Sequence, residues 1–282
     1  MKLEHASEVS PESINQDEIL FVSDIESFTL KTKNYLLERI SKRKLKVVVL
    51  IGDILSGFSI SNRFYKIFNM YHEVFEMFYN TKKIMKKYRI KKIDQDEVAR
   101  TYVGYEISEK LSKDYSKEIK YFKSFVKECY KKSIPVVLFS GNHDSLFSHT
   151  NLIINKEFIP ILDEIASVKG LIIPANFEPL KLKKNLYLMG IHLDEEVSQN
   201  PEFPEIKNIL EKLNENIERP EQIIFVSHIP GIKKFSRLGS KDISNLKKRF
   251  KFKYHYHGHC KDFHGEYVEE GVPTKSVHIN ID

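Results

Sequence analysis

The sequence predicts a layered α/β domain, and three observations lead there. Continuous apolar runs rich in β-branched residues stand at Ile19–Val22, Val47–Ile51, Val136–Phe139 and Ile223–Val226. Runs that do not alternate with polar residues are expected of strands buried on both faces. Helical patterns lie between them, at Lys31–Ser41 and Lys117–Lys132. Finally, polar residues with metal-binding or acid–base chemistry come directly after each run, at the edge where open α/β sheets bind ligands.

Weaker strand candidates are Leu171–Ile173, Leu186–Ile191, Phe252–His257 and Ser276–Ile281. Residues 57 to about 115 read differently. Phe64, Phe68, Tyr71, Phe75 and Phe78 recur at helical spacing, and Val98, Tyr102, Tyr105 and Ile107 suggest a second helix. The expectation is a single domain over 1–282 with a helical insertion at about 57–115. The aromatic stripe reads as packing rather than as a platform for stacked bases. The run Lys82–Lys92 holds seven basic residues in eleven positions. It reads as a solvated face, with contact to a phosphate backbone as the alternative.

Composition bounds the answer. The chain has 282 residues, 41% hydrophobic and 12% aromatic, enough for a real core and against disorder. Lys plus Arg is 45 against 39 Asp plus Glu, a net charge of +6 that suits anionic ligands without singling out nucleic acid. The two cysteines, Cys129 and Cys260, form no CxxC motif, so a reducing interior is expected. The polar, acidic N-terminus lacks the apolar stretch of a secretory signal. No apolar run approaches the ~20 residues that cross a bilayer. A soluble, cytoplasmic protein with no membrane partner is expected, and nothing in the sequence assigns an oligomeric state.

The residues after each strand carry the chemistry. Ser23-Asp24-Ile25-Glu26 comes after the first run, Gly52-Asp53 after the second and Gly141-Asn142-His143-Asp144 after the third. Ser227-His228-Ile229-Pro230 and Gly258-His259-Cys260-Lys261 come after later strands. Carboxylates, an amide oxygen and imidazoles together suit divalent Mn, Fe, Zn or related ions. The glycines Gly52, Gly141 and Gly258 are read as the residues that permit sharp turns into a shared site. A lone Gly-Asp means little; all five elements in order, each behind an apolar strand, are a strong signal.

That order resembles the calcineurin-like metallophosphoesterases, whose pattern is D-x-H, G-D, G-N-H-[DE], a lone H and then G-H-x-H. The resemblance runs from Asp24 to Lys261, apart from the insertion. It implies a four-layer α/β/β/α sandwich with two metals at the strand ends. It also implies that Asp53 bridges both ions, and that Asn142, His228 and His259 complete the second position. His143 matches the catalytic histidine that contacts the phosphoryl group, and Asp144 would orient it. Together with Asp24 and Glu26, these make up the implied site. The implied cofactor is one or two divalent ions per chain, with manganese favoured and Fe, Zn, Mg or Ni as further choices. The implied chemistry is attack by metal-activated hydroxide on a phosphodiester, nucleic acid or nucleotide-like, or on a phosphomonoester.

The first metal position departs from the pattern twice. Glu26 stands where the family has the histidine of D-x-H, and Lys261 where it has the second histidine of G-H-x-H. A protonated lysine has no lone pair and cannot ligate a metal. Three readings stay open. Asp24, Glu26 and Asp53 hold a hard, oxygen-rich site while Lys261 contacts substrate. Alternatively, the Lys261 ammonium replaces the missing cation. In the third reading chemistry is lost, and the domain is a non-catalytic binding module. The Gly-Asn-His-Asp form, and the lack of Gly-Asp-x-x-Asp-Arg-Gly, look more like phosphodiesterase and nuclease branches than protein phosphatases. Among the other histidines, His255 and His257 alternate with His259 along one strand, and His257 is read as packing. His192 is placed at the border of the pocket, and His72, His149 and His278 have no partner in the sequence.

Overall fold

The computed structural model describes residues 18–25, 27–55, 116–141, 144, 151–154, 157–183, 185–192, 222–231, 239–260 and 265–278. The helical insertion at about 57–115 lies outside the described residues, as do Glu26, Asn142, His143 and Lys261.

The first half of the chain builds a parallel sheet in the order β1-β2-β3-β6. Its strands are β1 (Ile19–Val22), β2 (Val47–Ile51), β3 (Val136–Phe139) and β6 (Leu171–Ile172). Helix α1 (Leu30–Ser41) links β1 to β2, and helix α2 (116–131) leads into β3. A hairpin of β4 (Asn151–Ile154) and β5 (Glu157–Pro160) precedes helix α3 (Ile161–Ala166). Thr29 caps α1 by accepting from the Thr32 amide at 3.2 Å.

The second half builds a six-stranded mixed sheet in the order β11-β12-β10-β9-β8-β7. Its strands are β7 (Leu180–Lys183), β8 (Leu186–Gly190), β9 (Ile223–Ser227), β10 (Tyr254–His257), β11 (Gly265–Glu269) and β12 (Val272–Ser276). Its four central strands, β8, β9, β10 and β12, run parallel, and antiparallel β7 and β11 close the two edges. Helix α4 (Lys241–Phe250) enters through Ser240, whose hydroxyl accepts from the Asp242 and Ile243 amides. It leaves through Lys251 in the left-handed conformation, φ 49°.

Residue-by-residue alternation stacks these parts into layers. Along β2, Val48 and Leu50 face a core shared with α1, α2 and α3, through Leu36, Phe122, Phe125 and Ile165. Val47, Val49 and Ile51 face the other way, onto Leu188, Ile224, Val226 and Tyr256 of the second sheet. Along β9, Ile223 and Phe225 turn from that interior toward Ile243, Leu246 and Phe250 of α4. The order is therefore helices, sheet, sheet, helix: the expected four-layer α/β/β/α sandwich. Each large aliphatic buried this way contributes about 1.5–3 kcal/mol. Truncating Phe225, fully buried between Phe177 and Phe252, would cost about 3–5 kcal/mol.

The expected strand Ser276–Ile281 is corrected. β12 occupies Val272–Ser276 and ends where that expectation begins. β7 and β11 are edge strands that the sequence reading missed. No helix among the described residues is long and apolar enough to cross a membrane.

Candidate metal centre

The parallel register brings the strand ends level. Val22 pairs with Leu50, Ile51 with Phe139, and His257 with Ser227. Beyond those pairs the loops tie to one another. The Asp24 amide donates to the Gly52 carbonyl at 3.1 Å, the Gly52 amide to the Phe139 carbonyl at 2.8 Å, and the Gly258 amide to the His228 carbonyl at 3.1 Å. Asp24, Asp53 and His259 all carry positive φ, at 57°, 52° and 66°. Non-glycine residues rarely adopt that region, and such strain clusters at functional sites.

Asp53, His228 and His259 offer ligand atoms that lie within 4.8 Å of one another. Nε2 of His228 is 3.0 Å from Oδ2 of Asp53 and 3.3 Å from Nδ1 of His259. Ligand atoms about 2.0–2.2 Å from one cation stand about 3.0–3.4 Å apart, so both spacings fit a shared ion. Nδ1 of His228 donates to the Ile51 carbonyl at 3.0 Å. This fixes the tautomer and turns the Nε2 lone pair toward Asp53 and His259. Burial works against charge on His228. Asp53, Asp24 and the Ile51 carbonyl outweigh it and push the imidazole up to about 10. The same carboxylates that hold that proton are arranged to hold a cation in its place.

Asp24 lies beside this cluster with its own set of donors. Ser23 Oγ donates to Oδ2 at 2.6 Å, and the His259 amide reaches both oxygens at 3.1 Å. His278 Nδ1 stands 3.1 Å from Oδ2. Burial raises the Asp24 carboxyl, but His278, His228 and Ser23 together hold it below the ordinary carboxylate range.

The glycines have two different explanations. Gly52, at φ 74°, makes a turn few other residues could make. Gly141 and Gly258 have no positive φ. A Cβ on Gly141 would strike the Asp53 carboxylate, and one on Gly258 would strike Ser23 Oγ and the Asp24 carboxylate. The turn reading is thus corrected for these two: they are glycine because side chains of the site occupy the space.

Asp144 is fully buried. Its Oδ1 accepts from the Ile54 and Leu55 amides at 2.7 and 2.8 Å, and its Oδ2 from the Gly141 amide at 2.6 Å. It therefore ties the loop after Asp53 to the loop after β3. Burial and the nearby Asp53 charge raise this carboxyl to about 7, against the pull of those amides. Its expected partner His143 lies outside the described residues, with Asn142, Glu26 and Lys261.

The remaining histidines divide. His192 accepts from the Ser140 amide at 2.9 Å and meets the Pro174 carbonyl at 2.7 Å, bracing the turn before Gly141. His255 and His257 are fully buried. His255 meets Lys247 of α4, and His257 meets the Tyr267 hydroxyl of β11 at 2.9 Å. His278 is the residue that sequence reasoning missed. Placing it inside a strand hid it. Since β12 ends at Ser276, which pairs with His257, His278 emerges level with His259.

A family profile for calcineurin-like phosphoesterases matches residues 96–260, more than half of the chain. The match excludes Asp24 and Asp53, which the fold places against His259 and His228. No curated protein matches the chain. A solved crystal structure with 14% identity and a TM-score of 0.54 covers 91% of this chain and 88% of its own, a likeness of fold alone. The TT1561 protein of Thermus thermophilus matches at 13% identity and a TM-score of 0.48, over 92% of this chain and 87% of its own. With the sandwich, the convergence of Asp53, His228 and His259 and the profile in agreement, the chain belongs to the calcineurin-like phosphoesterase family, whose members hydrolyse phosphate esters with bound divalent metals.

Proposed function

We propose that the protein is a phosphodiesterase acting on a nucleic acid or nucleotide-like diester, with manganese as the working metal. The observation that carries this reading is the convergence of Asp53, His228 and His259 at the strand ends, with Asp24 beside them. The Gly141-Asn142-His143-Asp144 sequence, and the absence of Asp-Arg-Gly after Gly52-Asp53, favour a diester over a phosphoprotein. Cys129 and Cys260, both buried and in no disulfide, suit a reducing, cytoplasmic setting.

Bound at the strand ends, a divalent ion supplies positive charge for the phosphoryl oxygens and lowers the pKa of a water. Asp53 and Asp24 concentrate the negative charge that retains it. The Ile51 carbonyl keeps the His228 lone pair aimed inward. In the sequence Asn142 and His143 come directly after Gly141, and by the family resemblance His143 is assigned proton donation to the leaving oxygen.

The test compares bis-p-nitrophenyl phosphate with p-nitrophenyl phosphate, with added Mn²⁺ and with EDTA. Faster, EDTA-sensitive hydrolysis of the diester is expected. Faster hydrolysis of the monoester would reject the diester preference. No hydrolysis with any divalent ion would leave the binding-module reading standing.

A further inference from the structure

We propose that His278 supplies the imidazole ligand of the first metal position, beside the carboxylate of Asp24, standing in for the two histidines that the sequence replaces with Glu26 and Lys261. The inference rests on the hydrolase reading and names a residue outside the motif order that suggested it.

The fold sets the position of this imidazole. β12 runs parallel to β10, with Ser276 opposite His257. The chain leaves β12 at the same edge from which β10 delivers His259, and the Val277 amide donates to the His257 carbonyl at 2.8 Å. Two residues past the strand, His278 reaches the Asp24 carboxylate. The chemistry agrees. Nε2 of His278 lies 3.1 Å from Ser276 Oγ, a hydroxyl that can accept the ring proton when a cation takes the place of the one between Nδ1 and Asp24. With Nε2 protonated toward Ser276, Nδ1 keeps its lone pair. Nδ1 stands 3.1 Å from Asp24 Oδ2. A nitrogen lone pair beside a carboxylate oxygen at that spacing fits two ligands of one cation at about 2.1 Å. An imidazole beside a carboxylate, with Asp53 as the bridging carboxylate that the family pattern implies, would make a mixed N/O site suited to Mn²⁺ or Fe²⁺.

The experiment uses the full chain, stripped with EDTA and titrated with Mn²⁺. Bound ions are counted from the free Mn²⁺ resonance, and the bound signal is inspected for exchange coupling between paired ions. The unsubstituted chain is expected to bind two ions and show coupling. His278→Ala is expected to bind one ion with no coupling, its metal-free melting temperature serving as the folding control. Ser276→Ala leaves the ligand in place and frees its ring; it is expected to weaken the more weakly bound ion by about 10–100-fold. If His278→Ala fails to fold, the Ser276→Ala titration decides the matter in its place. Unchanged ion counts and affinities in the variants would overturn the role of His278 and leave the hydrolase reading intact. So would a single ion in both parent and His278→Ala, the result expected if the imidazolium simply pairs with Asp24. No bound ion in the parent chain would overturn both.

Discussion

Lys247 on α4 and Glu269 at the end of β11 form an ion pair in which neither side chain reaches solvent. Lys247 Nζ also lies 3.1 Å from His255 Nδ1 and 3.1 Å from Thr274 Oγ1, and Ser244 donates to Glu269 at 2.8 Å. The chain of contacts runs on. His255 Nε2 meets Ser227 Oγ at 2.8 Å, and Ser227 donates to the Ile229 carbonyl at 2.6 Å. Burial lowers the Lys247 pKa, with Glu269 opposing. The segment tied down in this way flanks His228, so the pair props that imidazole from behind.

Removing one partner strands the other. Lys247→Met should destabilise the fold by about 3–5 kcal/mol in urea denaturation, because Glu269 is left buried without its cation. Lys247→Met combined with Glu269→Met should recover most of that loss. A double variant as unstable as the single would remove the pairing argument.

Asp144 offers a graded test. Asp144→Asn keeps an oxygen for the Ile54 and Leu55 amides but turns an NH₂ toward the Gly141 amide. Asp144→Ala leaves all three amides without this acceptor. Each buried orphan costs about 1–3 kcal/mol, so Ala should be the more damaging change. Mn²⁺ affinity should fall in the same order, because Asp53 rides on the same loop. Equal affinities in both variants and the parent would break that link.

Gly258→Ala isolates crowding from backbone strain, since Gly258 lacks a positive φ. Its methyl would displace Ser23 and Asp24. Mn²⁺ binding should weaken by at least about tenfold, the scale expected when a ligand loses the groups that orient it, while the metal-free melting temperature moves little. A variant that binds Mn²⁺ normally would show that Asp24 can shift without harm.

Much of this site was legible because its signals are local. Val47–Ile51 with Gly52-Asp53 behind it declares a buried strand and its polar end within a few residues, and β9 with His228 does the same. The features that escaped depend on contacts distant in sequence. β11 is an edge strand whose Val268 is 61% exposed, so no apolar run announces it. Its hairpin turns on Glu270 and Gly271, both at positive φ, a two-residue turn without the usual Asn-Gly marker. His278 acquires meaning only once β12 pairs with β10. Asp144 is read in the sequence as a partner for its neighbour in the motif; the three backbone amides it also accepts from come from two separate loops and leave no mark in the sequence.

Acid should weaken the metal-free protein, and the sign follows from which groups are buried neutral. Burial lowers His192 and His255 and brings His257 to about 3. Unfolding releases these imidazoles to an ordinary value near 6.5, so below that pH the unfolded chain binds protons that the folded chain refuses. Each contributes about 1.4 kcal/mol of lost stability per pH unit once the pH is well below 6.5. Asp144, raised to about 7, acts oppositely, because the folded chain takes its proton first. His228, raised to about 10, is protonated in both states below 6.5 and adds no slope there. Three histidines outweigh one carboxyl. In EDTA, urea stability should therefore fall by on the order of 1–3 kcal/mol per pH unit between pH 6 and 5. Above pH 7 the His228 contribution is lost as the pH rises toward 10, so the metal-free optimum should lie near neutrality. A flat or rising stability on acidification from pH 6.5 to 5 would show that these histidines are not buried in their neutral form.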